Sequence, residues 1–354
     1  MWIRHGNVFA VLAILASSPL AQTETTADST VVAASHLRDA GRLPEAERLL
    51  RSELAKQHQN SPPDLHSADL TNFLGIVLHD QGHYPEAEAC FRQAASEFET
   101  ILGPQHPRLA TALANLGNLL AEEDHYQEAY RSIRRAIDMA SPMLGECHPE
   151  VAIMFGDLGN LFHRQKEIAR ALPNTRRQLA CMEKQGTESV EVGRIHHNLA
   201  SQYLDDGQYS LAQEHLDRAS AILAKRLPPD HPDFLLVGNT RVALDYKHGR
   251  YKEARQLGLS LIEQMRRKLG PAHPSLAVML ANVAYADQKL QLYQEAAECF
   301  QQAIALEEQV ANPQNPYVAE WLRGYAAALR KTHRRPEAKK LESQAKAILA
   351  NSMR

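Results

Sequence analysis

Between residues 107 and 145 the apolar positions fall three and four residues apart. Leu109, Leu113, Leu116 and Leu120 share one stripe with Gly117, the spacing of an amphipathic helix that buries one face. The polar run Glu122-Glu123-Asp124-His125 interrupts it. A second periodic stretch follows, with Tyr126, Ala129, Ile133, Ala136, Ile137, Ala140 and Leu144 on one face. Two helices joined by so short a connection run antiparallel as a hairpin. The small residues Gly117 and Ala129 sit where the two backbones must approach.

The same pattern returns along the whole chain. A Tyr-x-Glu-Ala box and its variants place alanines at 46, 87, 129, 171, 212, 254, 296 and 338, in steps of 41, 42, 42, 41, 42, 42 and 42 residues. A constant period of that size predicts stacked copies of one unit, each burying its apolar face against the next. The boundaries are marked chemically. Leu102-Gly103-Pro104, Leu144-Gly145 and Leu269-Gly270-Pro271 set a glycine just past a helix end, where a left-handed residue closes the last turn. His106-Pro107, His148-Pro149, His231-Pro232 and His273-Pro274 then open the next helix, with proline where no intrahelical N–H bond is lost. Histidine once per boundary implies a helix cap or a contact to the neighbouring unit rather than a metal site.

The combination Asn115-Leu116-Gly117, Tyr126-Gln127-Glu128-Ala129 and Leu102-Gly103-Pro104-Gln105-His106-Pro107 resembles the long tetratricopeptide repeat of kinesin light chains and their bacterial relatives. The resemblance covers about residues 30–350, or eight units. It implies an all-α, right-handed superhelical solenoid of antiparallel helix hairpins whose first helices line a concave, peptide-binding groove. No sustained heptads precede the repeats, so the coiled-coil segment of kinesin light chains has no counterpart.

Some units depart from the pattern. The first (Gly41 to Ala46) and last (Arg335 to Ala338) are irregular, as terminal caps are. The fourth, Lys166-Glu167-Ile168-Ala169-Arg170-Ala171, lacks both the tyrosine and the turn glycine. Pro173 follows inside its second helix, and the next boundary, Gly186 to Ser189, lacks His-Pro. Residues 166–190 are therefore expected to be the irregular part of the array.

Outside the repeats, Arg4 and His5 precede an apolar run, Val8 to Ala16, followed by small residues through Ala21. That order reads as a secretory signal peptide over residues 1–21, cleaved after Ala21, with a short linker at 22–29. The apolar run is too short to span a bilayer, which takes about 20 residues, so no membrane span is expected in the mature chain. Export to the periplasm or beyond would place Cys90, Cys147, Cys181 and Cys299 in an oxidising compartment. No CxxC pair occurs. Cys90 and Cys299 each lie three residues past a box alanine and read as small apolar filler, while a Cys147–Cys181 bridge is left open.

Charge excludes one class of partner. The 39 Lys and Arg against 42 Asp and Glu give −3, or −4 after loss of residues 1–21, with no long single-sign block; phosphate-driven nucleic-acid binding is not expected. No nucleophile elbow, phosphate loop or zinc helix is present, so the chain reads as non-enzymatic, without cofactor or metal.

What remains is an in-phase set of polar residues on the first helices. Asn115, Asn198 and Asn282 lie two residues before the small seam residue, with Asp157 in the matching place; Asn118 and Asn160 lie one residue after it. In the family this resembles, such positions hydrogen-bond an extended peptide, for which an amide offers both donor and acceptor. Helices packed about 8–10 Å apart repeat a two-helix unit roughly every 20 Å, so an extended peptide meets a new rung about every six residues. Asparagines serving only to join neighbouring repeats would look the same. Four and five residues past the seam come Arg164, Lys247, Lys289, Arg330 and Lys331, whereas earlier units carry Asp80 and Glu122, with Asp205 an exception. If these face the groove, its C-terminal half suits an acidic or carboxylate-ended peptide. The reading is a protein-interaction scaffold binding peptide or protein segments in that groove. Its alternative is an assembly subunit of a cell-envelope complex held by the convex face or the terminal caps. Partner identity and oligomeric state are not encoded in these patterns.

Overall fold

The computed structural model describes residues 29–60, 64–186, 188–229, 231–271, 273–310 and 316–351. The proposed signal peptide and all of the linker but Ser29 lie outside them. The described residues form sixteen α-helices and no strand, and the chain divides between Glu188 and Ser189 into two compact units. The first unit pairs α1 (Ser29–Asp39) with α2 (Leu43–Asn60), α3 (Leu65–Asp80) with α4 (Tyr84–Leu102), α5 (Pro107–Glu122) with α6 (Tyr126–Leu144), and α7 (Pro149–Arg164) with α8 (Ile168–Glu183). The second pairs α9 (Val190–Asp205) with α10 (Tyr209–Arg226), α11 (Asp233–Lys247) with α12 (Tyr251–Leu269), α13 (Pro274–Lys289) with α14 (Tyr293–Val310), and α15 (Pro316–Lys331) with α16 (Arg335–Asn351). The array is an all-α solenoid of hairpins.

Within each unit every helix packs on the next one in sequence, and the backbones of successive odd-numbered helices also approach closely; successive even-numbered helices stand farther apart and meet through long side chains, as in Arg51–Glu86 at 2.8 Å and Arg92–Glu128 at 2.7 Å. The odd row is therefore the more closely spaced, inner one. In the first unit a single apolar core runs from Val31 to Ala171.

The turn inside each hairpin follows one rule. A residue of positive φ stands at 41, 82, 124, 166, 207, 249, 291 and 333, repeating the steps of the box alanines. Glycine fills four of these places. Asp124, Lys166, Gln291 and His333 adopt the left-handed conformation without it, so the missing glycine of the fourth unit leaves the turn type unchanged. Helix α8 also continues through Pro173, near enough its start that only a first-turn carbonyl loses its donor.

Close approach inside the hairpins falls on the seam glycines. A Cβ at Gly75 would lie 2.7 Å from Phe91, one at Gly117 2.5 Å from Ile133, and one at Gly159 2.2 Å from Thr175. Each pair is sixteen residues apart, so one contact recurs in three successive hairpins. The boundary histidines act as caps in three of four cases. Nδ1 of His106, His231 and His273 accepts the backbone N–H of Arg108, Asp233 and Ser275 at 3.1, 3.2 and 3.2 Å, taking up an N–H that the first turn leaves free. His148 makes no such bond. Its neighbour Cys147 is joined to Cys181 of α8 by a disulfide with Cα atoms 4.8 Å apart, within the range such bridges occupy. Cys90 and Cys299 are free and half-buried, and burial pushes both thiols up to about 11, which leaves them inert filler.

Candidate interaction surface

The inner row of odd helices carries the polar residues singled out in the sequence, and their surroundings differ. Asn115 on α5 is buried, and its amide donates to Oδ1 of Asn72 on α3 at 3.2 Å. Asn282 on α13 is likewise buried and donates to Asn239 on α11 at 3.0 Å. The equivalent rung between α9 and α11 is His197 Nε2 with Thr240 Oγ1 at 2.9 Å. All three rungs span 43 residues, one more than the period. Asn198, at the in-phase position, stands half-buried beside that rung. These side chains tie one first helix to the next. Asn72, His197, Asn239 and Thr240 escaped sequence reading because their partners sit one residue out of phase; an offset of 43 is the signal that finds them. His196 diverges from His197 and turns into its own hairpin, Nδ1 to Nδ1 of His215 at 2.8 Å.

Asn118 and Asp157 are buried and Asn160 is half-buried. Arg164 reaches back to α5, donating from Nε to the Ala121 carbonyl at 3.0 Å and from Nη2 to that of Glu122 at 3.4 Å. It thus serves carbonyls that the end of α5 leaves without partners. Among the described residues, half-buried Lys247 and exposed Lys289 and Lys331 have no ion pair, whereas exposed Arg330 binds Glu342 at 2.7 Å. The row's charges accordingly behave differently in the two units.

In the first unit the ends of the inner helices form a neutralised chain. Arg38 pairs with Asp80 at 2.5 Å, and His79 lies 3.6 Å from Asp80 and 3.2 Å from Glu122. Burial pulls the His79 imidazole down, but hydrogen bonds and charge from Asp80 and Glu122 overcome it and hold the pKa at about 9. A histidine raised above its ordinary 6.5 stabilises the fold fully below that value and loses the contribution as pH rises through about 9. The urea midpoint of the protein is expected to fall between about pH 7 and pH 10, with His79→Gln removing most of the slope. A wild-type midpoint constant over that window would contradict the assignment.

The second unit buries two carboxylates at the starts of its inner helices. Asp233 meets Arg194 Nε at 2.8 Å, while burial raises Glu191 to about 7 against the pull of Arg194. Among the described residues no three His, Cys, Asp or Glu side chains are grouped to hold a metal, and no helix is long and apolar enough to cross a membrane.

A tetratricopeptide repeat family model matches residues 64–141, 238–306 and 275–351, more than half of the chain, and a second one matches residues 27–52. No functionally characterised protein matches in sequence. Among solved structures, a Rap protein complexed with Competence and Sporulation Factor is similar at 13% identity over 82% of this chain and 75% of its own, with TM-score 0.63. The apo form of RapI is similar at 12% identity over 80% of this chain and 97% of its own, with TM-score 0.59. Kinesin-light-chain repeats from Podosopora anserina match at 25% identity over 58% of this chain and 98% of theirs, with TM-score 0.47. With sixteen helices in eight hairpins among the described residues and a family match of this extent, the chain belongs to the tetratricopeptide repeat family.

Proposed function

We propose that this protein is a non-enzymatic interaction scaffold that holds an acidic peptide or protein segment along the inner row of its second unit. The observation that carries the reading is the line of Lys247, Lys289 and Lys331 at the C-terminal ends of α11, α13 and α15, each without an ion pair among the described residues. Unpaired cations at a constant interval on the more closely spaced row suit an extended anionic ligand. The hydrogen-bonded asparagine rungs support the reading by fixing the spacing of the helices that present them. We place the protein outside the cytoplasm, processed after Ala21; the Cys147–Cys181 bridge supports this, because such bridges persist in oxidising compartments.

The test is fluorescence polarisation with a labelled peptide of alternating Glu and Ser. Replacing Lys247, Lys289 and Lys331 together by alanine should weaken binding roughly ten-fold, from about 0.5 kcal/mol for each charge, and should flatten the salt dependence. Equal affinity and an equal salt slope in variant and wild type would remove the groove-charge reading. N-terminal sequencing of the protein from an envelope fraction tests export, and an intact Met1 would contradict it.

A further inference from the structure

Successive inner helices of the second unit stand closer together than a two-helix repeat suggests. Cα atoms of α11 come within 8 Å of α13, and those of α13 within 8 Å of α15. Asn282 on α13 bonds Asn239 on α11 at 3.0 Å, and Gln288 on α13 donates to the Gly324 carbonyl on α15 at 2.7 Å. The step along this row is therefore that of two directly packed helices, about 8–10 Å, and not the roughly 20 Å expected from the sequence.

Lys247, Lys289 and Lys331 stand seven residues before the box alanines Ala254, Ala296 and Ala338, each at the C-terminal end of its helix. In the first unit the same place holds Asp80 and Glu122, before Ala87 and Ala129. There one side chain from the neighbouring helix bridges each step. Arg38 of α1 meets Asp80 at 2.5 Å, and His79 of α3 meets Glu122 at 3.2 Å. Past Asp205, the second unit instead carries cations on three successive inner helices. The carboxylates two residues before the first two lysines are engaged elsewhere, Asp245 by Arg250 at 2.6 Å and Asp287 by Arg255 at 2.5 Å. A ligand that supplies the missing carboxylates needs one for each step.

Few backbones place side chains on one face at that interval. A β-strand repeats a face every second residue, at about 6.6 Å or about 13 Å, and misses the step on both sides. A polyproline-II helix turns once in three residues, so its same-face side chains recur about every 9.3 Å. An α-helix reaches about 10.5 Å in seven residues, but a helical ligand docks through an apolar face. Among the described residues, none of the exposed large hydrophobic side chains lies on α11, α13 or α15.

We propose that the second unit reads the spacing of acidic residues: its inner row holds a polyproline-II segment with a carboxylate at every third position, one each for Lys247, Lys289 and Lys331. Such selection rests on the acidic-segment reading of this row and adds the ligand's backbone form and register.

Three labelled nine-residue peptides of equal composition test it by fluorescence polarisation on the full chain. Each has three glutamates and six prolines, with the glutamates at positions 1, 4 and 7, at 1, 3 and 5, or at 1, 5 and 9. The 1-4-7 peptide should bind about five-fold tighter than either of the others, the effect of two surface ion pairs. Non-specific attraction gives another order, because the 1-3-5 peptide has the densest charge. Lys289→Ala should weaken the 1-4-7 peptide about two-fold and leave a peptide with glutamate at 1 and 7 alone unchanged. A 1-3-5 or 1-5-9 peptide that binds as tightly as 1-4-7 overturns the spacing rule while the acidic-segment reading stands. So does tighter binding of an alanine-rich helix with glutamate at every seventh residue. If none of these binds, and the alternating Glu and Ser peptide does not either, both readings fall.

Discussion

Replacing Cys147 and Cys181 together by serine is expected to lower the unfolding free energy of the first unit by about 3–4 kcal/mol. This is the chain-entropy value for a loop of the size they close, 34 residues along the sequence. The site makes the loss matter. The bridge ties the α6–α7 boundary to α8, in the hairpin that lacks the box tyrosine and carries Pro173 within its second helix. His148, next to Cys147, forms no side-chain cap on α7, so the covalent link stands where the other three His-Pro boundaries use a histidine. Urea unfolding followed by circular dichroism checks the prediction, with dithiothreitol-treated wild type expected to match the double serine variant. Equal midpoints for the oxidised protein and the variant would show that the bridge adds nothing.

Leucine at Gly117 is the second large effect. A Cβ there lies 2.5 Å from Ile133 Cγ1 and 3.1 Å from the Ala129 carbonyl oxygen. The side-chain clash can be relieved by a rotamer change, but the backbone one requires the hairpin to open. Overpacking of a tight core costs about 1–3 kcal/mol, and leucine should reach or exceed the upper end. Alanine at Gly117 gives a finer test. Its cost should shrink when Ile133→Ala makes room, so that the double variant is more stable than the sum of the singles predicts. Strict additivity would place the strain elsewhere.

Much of this architecture is legible in the sequence alone. The three-and-four spacing, the box alanines and the Leu-Gly-Pro boundaries act within one unit, and local chemistry suffices to locate hairpins, caps and seam. The histidine caps belong to this class, because their acceptor and donor are two residues apart. The left-handed turns at Asp124, Lys166, Gln291 and His333 were less legible: at Lys166 the absent glycine marked the fourth unit as irregular, but the flanking helices impose the same conformation on whatever residue stands there. The surface itself was legible only in part. Periodicity placed Asn115, Asn282 and Lys289 on first helices, yet it does not state the register between one helix and the next. The 43-residue rungs and the return of Arg164 to the α5 carbonyls depend on that register. The chain from Arg38 through Asp80 and His79 to Glu122 depends on it too.

The central physical claim is that each hairpin is stable because it sheathes its apolar face against its neighbour. Excising residues 88–129, one period of 42 residues, tests it most directly, since Ala87 then joins Tyr130 in phase and both bridge cysteines remain. The account predicts a shorter protein of unchanged helicity per residue that unfolds cooperatively, with a reduced dependence on urea in proportion to the surface removed. An excised chain with the spectrum of a random coil would contradict it.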